Sequence, residues 1–357
     1  MTETIRVGGA AAYDVIVGNG LTPNVADLVA GASRVFVVAD SNVASGAETV
    51  QAALADAGFD AHLRLLPEGE QAKSLDVAAG LWQDMGRLRM TRNDAVVAVG
   101  GGATTDVAGF AAATWLRGVR VVHMPTTLLS MVDAAIGGKT GINTEAGKNL
   151  VGAFHPPSGV LVDLDVLERL PQQEWVNGMA EVVKAGFIAD PSILDLIEAD
   201  TPAAVDPQGS SAEELIRRSI RVKADVVSAD LRETGRREIL NYGHTLAHAI
   251  ERVERYTMPH GQAVSIGMVF VAKLSRLAGR LDVETATRHA AILAAVGLPV
   301  TYRRRTFDEL LEAMRVDKKA RGATLRFVVL DRLADPAIMS GPDEELLRAA
   351  FDELSAP

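Results

Sequence analysis

The segment DAVVAVGGGATTDVAGF, residues 94–110, passes from an unbroken apolar run through three glycines into the start of an expected helix. The apolar run predicts a strand buried on both faces of a parallel sheet. Glycines at the end of such a strand let the backbone approach a phosphate, and a helix start favours negative charge. The GxGxxG pattern of dinucleotide folds is absent. The segment therefore predicts either a phosphate-binding turn or a tight strand-to-helix turn.

Further strand-like runs lie on both sides of this segment, at residues 34–42, 61–70, 119–125 and 159–165. Helical stretches separate several of them, and continuous apolar runs with helical crossovers are typical of a mostly parallel sheet covered on both faces. We expect a Rossmann-like α/β domain over residues 1–170, with ligands beyond the carboxyl ends of its strands. Asp40 ends the first run and is either a ribose acceptor or a turn residue.

The pattern changes after residue 170, where long segments have helical periodicity and one strand-like run, LRFVVLD, follows at residues 325–331. We expect a mainly α-helical C-terminal domain over residues 171–357, with a cleft between the two domains. The chain carries a net charge of −10, which argues against general nucleic-acid binding. No secretory signal or membrane-length apolar run is visible, so we expect a cytoplasmic protein.

The chain has no cysteine, so any metal must be held by histidine and carboxylate. The run LNYGHTLAHAIE places His244 and His248 on one side of a helix, and His260 begins a later helix. Upstream, Glu181 and Lys184 lie one turn apart in an otherwise apolar helix. Two histidines and a glutamate are a recurrent zinc set. The alternative is a group of polar side chains that satisfy one another in the core.

Basic and amide side chains recur among small residues in this acidic chain. A glycine-rich segment, residues 137–157, is expected to form a long loop that carries Lys139, Lys148 and Asn149. Such groups indicate recognition of a phosphate or carboxylate, although a solvated lysine face is the alternative for any one of them. The later basic and amide members of the set are Lys223, Arg237, Asn241, Lys318 and Lys319, and the acidic Glu233 accompanies them.

Seven sequence blocks together resemble the 3-dehydroquinate synthase family. They occur in the expected order between about residues 34 and 335: PEGEQAKSL, VAVGGGATTDVAGFAAAT, MPTTLLSMVDAAIGGKTGIN, GKNLVGAFHPP, GMAEVVKAG, LNYGHTLAHAIE and HGQAVSIGM. The resemblance implies a lyase that converts 3-deoxy-D-arabino-heptulosonate 7-phosphate to 3-dehydroquinate and phosphate. It implies transient oxidation by NAD, phosphate elimination, re-reduction and aldol closure, with zinc or cobalt as the metal.

The resemblance also implies roles for particular residues. The metal ligands would be Glu181, His244 and His260, whereas His248 would lie near the substrate phosphate. Arg117 would reach into the site of a partner subunit in a homodimer. The NAD contacts would be Asp40, Asn42, Glu68, Gly69, Glu70, Gln71, Ala72, Lys73, Gly102, Ala103, Thr104, Thr105, Asp106, Thr126, Thr127, Lys139 and Lys148. The other substrate-site residues would be Asp133, Lys139, Asn149, Lys184, Lys223, Glu233, Arg237, Asn241 and Lys318.

Two other enzyme classes with the same or a related fold are alternatives. A sister sugar-phosphate cyclase acting on sedoheptulose 7-phosphate or glucose 6-phosphate would not need a carboxylate-binding arginine. A metal-dependent polyol dehydrogenase would release NADH and would not need so many phosphate-binding lysines. The presence of Arg237, Asn149, His248 and Lys318 favours 3-dehydroquinate synthase. We expect a small anionic sugar phosphate as substrate, and neither nucleic acid nor membrane as a partner.

Overall fold

The computed structural model describes residues 2–319 and 324–356, except for the side chains of residues 316–319. The chain divides into two compact units. The first comprises Met1–Leu170 and Lys223–Arg232, and the second comprises Pro171–Val222 and Glu233–Pro357. The boundary after residue 170 is the one at which the sequence pattern changes. The helix Ala212–Ala229 contributes to both units, because its residues from Lys223 onward are grouped with the first unit.

The strands are β1 (Glu3–Val7), β2 (Tyr13–Gly18), β3 (Arg34–Asp40), β4 (Asp60–Leu66), β5 (Ala95–Gly100), β6 (Arg120–Pro125), β7 (Lys139–Thr144), β8 (Gly147–Phe154), β9 (Gly159–Asp163), β10 (Arg326–Arg332) and β11 (Asp335–Ser340). The helices are α1 (Val25–Leu28), α2 (Ala44–Asp56), α3 (Leu75–Arg87), α4 (Gly102–Thr114), α5 (Gln172–Ile188), α6 (Ser192–Ala199), α7 (Thr201–Ala204), α8 (Ala212–Ala229), α9 (His244–Val253), α10 (His260–Leu277), α11 (Val283–Ala295), α12 (Phe307–Lys319) and α13 (Glu344–Leu354).

A seven-stranded sheet in the order β1-β2-β9-β6-β5-β3-β4 forms the centre of the first unit. Strands β2, β9, β6, β5, β3 and β4 pair in parallel, and β1 is antiparallel to β2 at one edge. The predicted α/β fold with a mostly parallel sheet is confirmed. The β1–β2 hairpin was not predicted from the sequence.

Strand β5 shows why the sheet is covered on both sides. All six of its residues are buried. Val96 and Ala98 pack into one hydrophobic cluster with α3 and α4, whereas Val97 and Val99 pack into another with α1 and α2. Because successive side chains of a strand point to opposite faces, an unbroken apolar run fits only a sheet with helices on both faces.

The glycine-rich segment 137–157 is a β-hairpin, so the prediction of a long loop was wrong. Strands β7 and β8 pair antiparallel from Lys139 opposite Phe154 to Thr144 opposite Gly147. The glycines permit a close approach of the two backbones, since a Cβ added at Gly152 would lie 2.2 Å from the Thr140 carbonyl oxygen. A high glycine content usually indicates a loop, but in this segment it reflects the close pairing of two strands.

The second unit is mainly helical, as predicted, and also contains the antiparallel hairpin β10–β11. Its buried helices α5 and α10 each carry more than ten buried residues. Glycines set the contacts of α10 with its neighbours. A Cβ added at Gly261 would lie 1.9 Å from the Asn177 carbonyl oxygen of α5. In the described part of the chain, no helix combines the length and apolar character needed to cross a membrane.

Candidate functional site

The predicted phosphate turn joins β5 to α4 at the carboxyl edge of the sheet. Gly101 has extended backbone and precedes the first turn of α4, where the Thr104 and Thr105 amides donate to the Gly101 carbonyl at 3.1 Å. A Cβ at Gly100 would lie 2.7 Å from Thr104 Oγ1, so this position accepts only glycine without rearrangement. The turn thus presents a helix start beside glycines, which suits an anion.

Asp40 connects two segments that the resemblance assigns to NAD. Its Oδ1 accepts a hydrogen bond from the Asn42 amide at 2.9 Å, and its Oδ2 accepts one from the Gly69 amide at 3.3 Å. The carboxylate therefore caps the turn after β3 and also holds the segment that begins at Glu68. These bonds agree with the turn interpretation of Asp40 and place it beside residues 68–73.

Lys73 links three parts of the first unit. Its Nζ donates to Asp106 Oδ2 at 2.6 Å and to Asn149 Oδ1 at 2.5 Å, and its side chain is only 3% exposed. Burial raises the pKa of Asp106, and the Lys73 charge opposes that rise. Asn149 has a positive φ of 56°, a conformation that asparagine tolerates better than most residues. One buried amine thus joins the 68–73 segment, α4 and the hairpin.

The other predicted residues of the first unit lie in segments that follow strands of the sheet, except Arg117, which precedes β6. Lys148 Nζ lies 3.5 Å from Glu70 Oε1. The Thr126 amide donates to the Gly100 carbonyl at 3.0 Å. Asp133 lies in a π-helical turn, Ser130–Ala134, and pairs with the buried Lys223 of α8. Arg117 and Lys139 are exposed.

Three candidate metal donors lie together in the second unit. Ligand atoms of Glu181, His244 and His260 all lie within 4.8 Å of one another, and they form the only such group of three or more among the described residues. Glu181 belongs to the middle of α5, whereas His244 and His260 are the first residues of α9 and α10. Three separate segments therefore bring one carboxylate and two imidazoles to one point.

The two imidazoles are oriented alike. The Nδ1 of His244 lies 3.0 Å from the Tyr242 carbonyl oxygen, and the Nδ1 of His260 lies 3.4 Å from Glu251 Oε1. Both partners are acceptors, so each Nδ1 carries a proton and donates it. Each Nε2 faces Glu181 Oε1, at 3.5 Å for His244 and 3.7 Å for His260.

The two carboxylate oxygens of Glu181 have different neighbours. Its Oε2 contacts Lys184 Nζ, one turn along α5. Its Oε1 is buried and has no hydrogen-bond partner among the described residues. A buried carboxylate oxygen left unsatisfied is costly, and here it faces two imidazole nitrogens. Two histidines and a glutamate with an open coordination position suit Zn²⁺ or a similar divalent ion, so the residues fit such a metal.

Burial and neighbouring charges together determine the pKa values of Glu181, His244 and His260. Burial alone would raise the pKa of Glu181, but the Lys184 charge and the two histidines hold it well below its usual range. Burial, with help from the Lys184 charge, holds the pKa of His244 well below its usual range. Burial also opposes protonation of His260, yet the neighbouring carboxylates of Glu181 and Glu251 raise its pKa.

Other predicted residues of the second unit lie on the segment leading into α9. Asn241 donates a hydrogen bond to Glu233, and Arg237 is buried. The His248 ring lies edge-on to His244, with ring centroids 5.4 Å apart, and the residue is exposed. The side chains of Lys318 and Lys319 lie outside the described residues.

Sequence reasoning missed the residues that support the metal donors. Glu251 lies seven residues after His244, a spacing that returns to the same face of a helix, so the quoted run already held the signal. Asn177 precedes Glu181 by one turn, and its Oδ1 accepts a hydrogen bond from the Gly261 amide at 2.7 Å. Nothing in the sequence alone connects Asn177 with Gly261.

Comparison with known proteins bears on this geometry. A model of the 3-dehydroquinate synthase N-terminal domain matches residues 63–177, and a model of the C-terminal domain matches residues 178–320. The chain belongs to the 3-dehydroquinate synthase family. A curated 3-dehydroquinate synthase from Saccharopolyspora erythraea is 60% identical over 357 residues, covering 99% of this chain and 96% of that protein.

Solved structures similar to this member of the 3-dehydroquinate synthase family include two sugar-phosphate cyclases. A 2-deoxy-scyllo-inosose synthase complexed with carbaglucose-6-phosphate, NAD⁺ and Co²⁺ has a TM-score of 0.88 and 26% identity, covering 99% of this chain and 100% of that one. The 2-epi-5-epi-valiolone synthase ValA from Streptomyces hygroscopicus subsp. jinggangensis 5008, with NAD⁺ and Zn²⁺ bound, has a TM-score of 0.89 and 29% identity, covering 96% of each chain.

Proposed function

We propose that this protein is a 3-dehydroquinate synthase, which converts 3-deoxy-D-arabino-heptulosonate 7-phosphate to 3-dehydroquinate and inorganic phosphate. The observation that carries the proposal is the 60% identity to a protein of that name over nearly the full length of both chains. The three-donor centre of Glu181, His244 and His260 supports it. The solved cyclases with other products are much less similar, at 26% and 29% identity.

The proposed cofactors are NAD⁺ and a divalent ion, Zn²⁺ or Co²⁺. Both solved cyclases contain NAD⁺ with one of these ions. The ion would be held by Glu181 Oε1 and by the Nε2 atoms of His244 and His260, and would supply Lewis-acid polarisation of a substrate oxygen. Bound NAD⁺ would supply reversible hydride transfer, with no net formation of NADH.

In the second unit, charged and amide side chains would bind and orient the substrate. Arg237 presents a planar fork of donors that matches a carboxylate, and its burial strengthens that interaction. Asn241 is held in place by its bond to Glu233. Lys184 balances the charge of Glu181 Oε2, which leaves Oε1 for the ion. His248 would contact the substrate phosphate.

In the first unit, the turn from Gly102 to Asp106 would hold the pyrophosphate of NAD⁺ at the start of α4. Asp40 and Asn42 would face the ribose, and the segment Glu68–Lys73 would flank it with Thr126, Thr127, Lys139 and Lys148. Support comes from the hydrogen bonds that join Asp40 to Gly69 and Lys73 to Asp106. Asp133, Asn149 and Lys223 would contribute polar groups for the substrate, and Lys318 is proposed from the resemblance alone.

A homodimer in the cytoplasm is also proposed. Strand β8 exposes the apolar side chains of Leu150, Val151 and Phe154, at 60%, 43% and 44% exposure. Apolar side chains clustered on an exposed strand are typical of an association surface. Arg117 lies in an exposed turn with a positive φ of 66°, where it would contact a partner subunit. Sedimentation of the wild type and of Phe154→Asp tests the dimer, and an unchanged mass would contradict the role of this strand.

The deciding experiment measures phosphate release from the heptulosonate substrate together with NADH absorbance. Release that needs NAD⁺ and stops with a chelator, with no accumulation of NADH, is the expected result. Steady accumulation of NADH would instead indicate a polyol dehydrogenase. Turnover of sedoheptulose 7-phosphate or glucose 6-phosphate in preference to the heptulosonate would indicate a sister cyclase.

A further inference from the structure

Two residues that no functional role above includes support His260: Glu251 contacts its ring, and Asn177 binds the amide of the next residue, Gly261. We infer that Glu251 and Asn177 are positioning residues for His260, and that the affinity of the centre for its divalent ion depends on them. This inference rests on the proposed metal-dependent function, and it concerns residues that do not themselves contact the ion.

Glu251 acts on the ring. It lies on α9 and is 5% exposed, with Oε1 3.4 Å from His260 Nδ1. A carboxylate accepts hydrogen bonds, so Nδ1 is the protonated nitrogen and Nε2 is directed towards Glu181 Oε1, 3.7 Å away. Metal-ligating histidines commonly donate the second ring N–H to a carboxylate, which fixes the ring orientation and raises its basicity. Glu251 occupies that position here.

Asn177 acts on the backbone. His260 is the first residue of α10, and the amide of the next residue, Gly261, donates to Asn177 Oδ1 at 2.7 Å. The first amides of a helix have no partner within the helix, so this bond satisfies one of them. Asn177 lies on α5 one turn before Glu181. The hydrogen bond thereby attaches the start of α10, which carries His260, to α5 one turn before Glu181.

The close contact at Gly261 makes this attachment specific. A Cβ at Gly261 would lie 1.9 Å from the Asn177 carbonyl oxygen and 2.7 Å from Asn177 Oδ1. Only glycine allows α10 to begin against the α5 backbone at this distance. The separation of His260 from Glu181 is therefore determined by backbone packing, and the ring orientation by Glu251. A site held in this way loses little conformational freedom when it binds an ion.

The test for Glu251 is zinc affinity, measured by competition with a chromophoric chelator in purified protein. We expect Glu251→Ala to weaken zinc binding by about 10- to 100-fold and to alter the absorption bands of the Co²⁺-loaded protein. Glu251→Gln keeps an oxygen that accepts from Nδ1 and should recover part of the affinity. The matched control is Glu254→Ala, since Glu254 lies three residues further on and bonds Tyr302 Oη at 2.8 Å instead.

The test for Asn177 uses the same measurement. Asn177→Ala removes the acceptor and should weaken zinc binding, whereas Asn177→Asp keeps it and should restore the affinity. Wild-type affinity and an unchanged Co²⁺ spectrum in Glu251→Ala, Glu251→Gln and Asn177→Ala would overturn the inference. Failure of the wild-type protein to bind zinc at all would instead overturn the metal-dependent function.

Discussion

A methyl group placed at Gly267 would lie 2.0 Å from the carbonyl oxygen of Gly243. Gly267 belongs to α10, which starts with His260, and Gly243 directly precedes His244 at the start of α9. Gly243 has a positive φ of 79°, a conformation that favours glycine. Two glycines therefore set the distance between the helices that carry both candidate imidazole ligands.

Gly267→Ala is expected to separate α9 from α10. The added methyl group cannot be accommodated without a backbone shift, and overpacking of this kind costs about 1–3 kcal/mol of stability. Zinc affinity should fall with it, because His244 and His260 move apart. Calorimetry and chelator competition measure the two effects. Gly46→Ala, at a helical glycine with no atom within 4 Å of the added Cβ, is the control that should leave zinc affinity unchanged and stability equal or slightly higher.

His244→Ala and His248→Ala should differ in bound metal. His244 Nε2 faces Glu181 Oε1, whereas the exposed His248 lies edge-on to the His244 ring. We expect His244→Ala to abolish stoichiometric zinc and His248→Ala to retain it, with activity lost in the first and reduced in the second. Metal analysis by atomic absorption after gel filtration separates the two. Zinc lost from both variants would show that His248 is itself a ligand.

Lys73→Met should destabilise the first unit by about 3–5 kcal/mol, because it leaves the carboxylate of Asp106 partly buried without its cation. Adding Asp106→Asn should recover much of this loss, and denaturant titration of the single and double variants measures the coupling. Lys148→Met is the control. Its partner Glu70 is 51% exposed, and an exposed ion pair contributes about 0–1 kcal/mol. Additive effects of the two changes would contradict a direct Lys73–Asp106 interaction.

Arg237→Lys tests recognition of the substrate carboxylate. Lysine keeps the charge but cannot form the two parallel bonds of a guanidinium. Loss of one charge-assisted bond of about 1.5–3 kcal/mol should lower kcat/KM for the heptulosonate by roughly 10- to 100-fold. The neighbouring exposed Arg236, changed to lysine, should leave the kinetics unchanged. Equal kinetics for wild type and Arg237→Lys would favour a substrate without a carboxylate.

Stability should fall in acid because His289 is buried as the neutral imidazole. Its Nδ1 donates to the Thr285 carbonyl at 2.8 Å, and its Nε2 accepts from Tyr242 Oη at 2.9 Å. Burial lowers its pKa from 6.5 to about 3. Below pH 6.5 the unfolded chain takes up a proton that the folded protein does not, so stability is lost progressively as the pH falls from 6.5 to about 3.

Between about pH 7 and pH 5, this one histidine should cost about 2 kcal/mol of unfolding free energy. In His289→Gln, which has no titrating ring, the pH dependence of that free energy should be smaller by the same amount. Urea titrations at the two pH values measure it. An identical pH dependence in wild type and variant would contradict neutral burial of His289.

The parallel sheet could be predicted because its central strands contain apolar runs rich in valine, of which β5 is the clearest. The hairpin β1–β2 was missed although β1 alternates apolar with polar residues, because β2 is placed by pairing with β9, more than 140 residues away. The β7–β8 hairpin was mistaken for a loop. Its glycines serve the close pairing of two strands, and residue composition does not distinguish the two uses.

Residue type and spacing indicated a donor set of Glu181 and the nearby histidines, since carboxylates and imidazoles in apolar helices require a partner. The choice of His244 and His260 came from the family resemblance. The residues that hold these donors were not predicted. The Asn177–Gly261 bond spans 84 positions and depends on how α5 and α10 pack. Glu251 could be placed on the same face of α9 as His244 from the sequence. Its role follows only once His260 is known to lie beside it.

The contact between Lys184 and Glu181 within α5 has a consequence for folding of the protein before it binds a metal ion. The buried negative charge is already compensated by an ammonium on the same helix, so folding does not have to wait for metal. The newly made chain should fold completely without a metal ion and bind afterwards whichever divalent ion the cell supplies. A zinc finger, which is unfolded without its metal, has no such freedom.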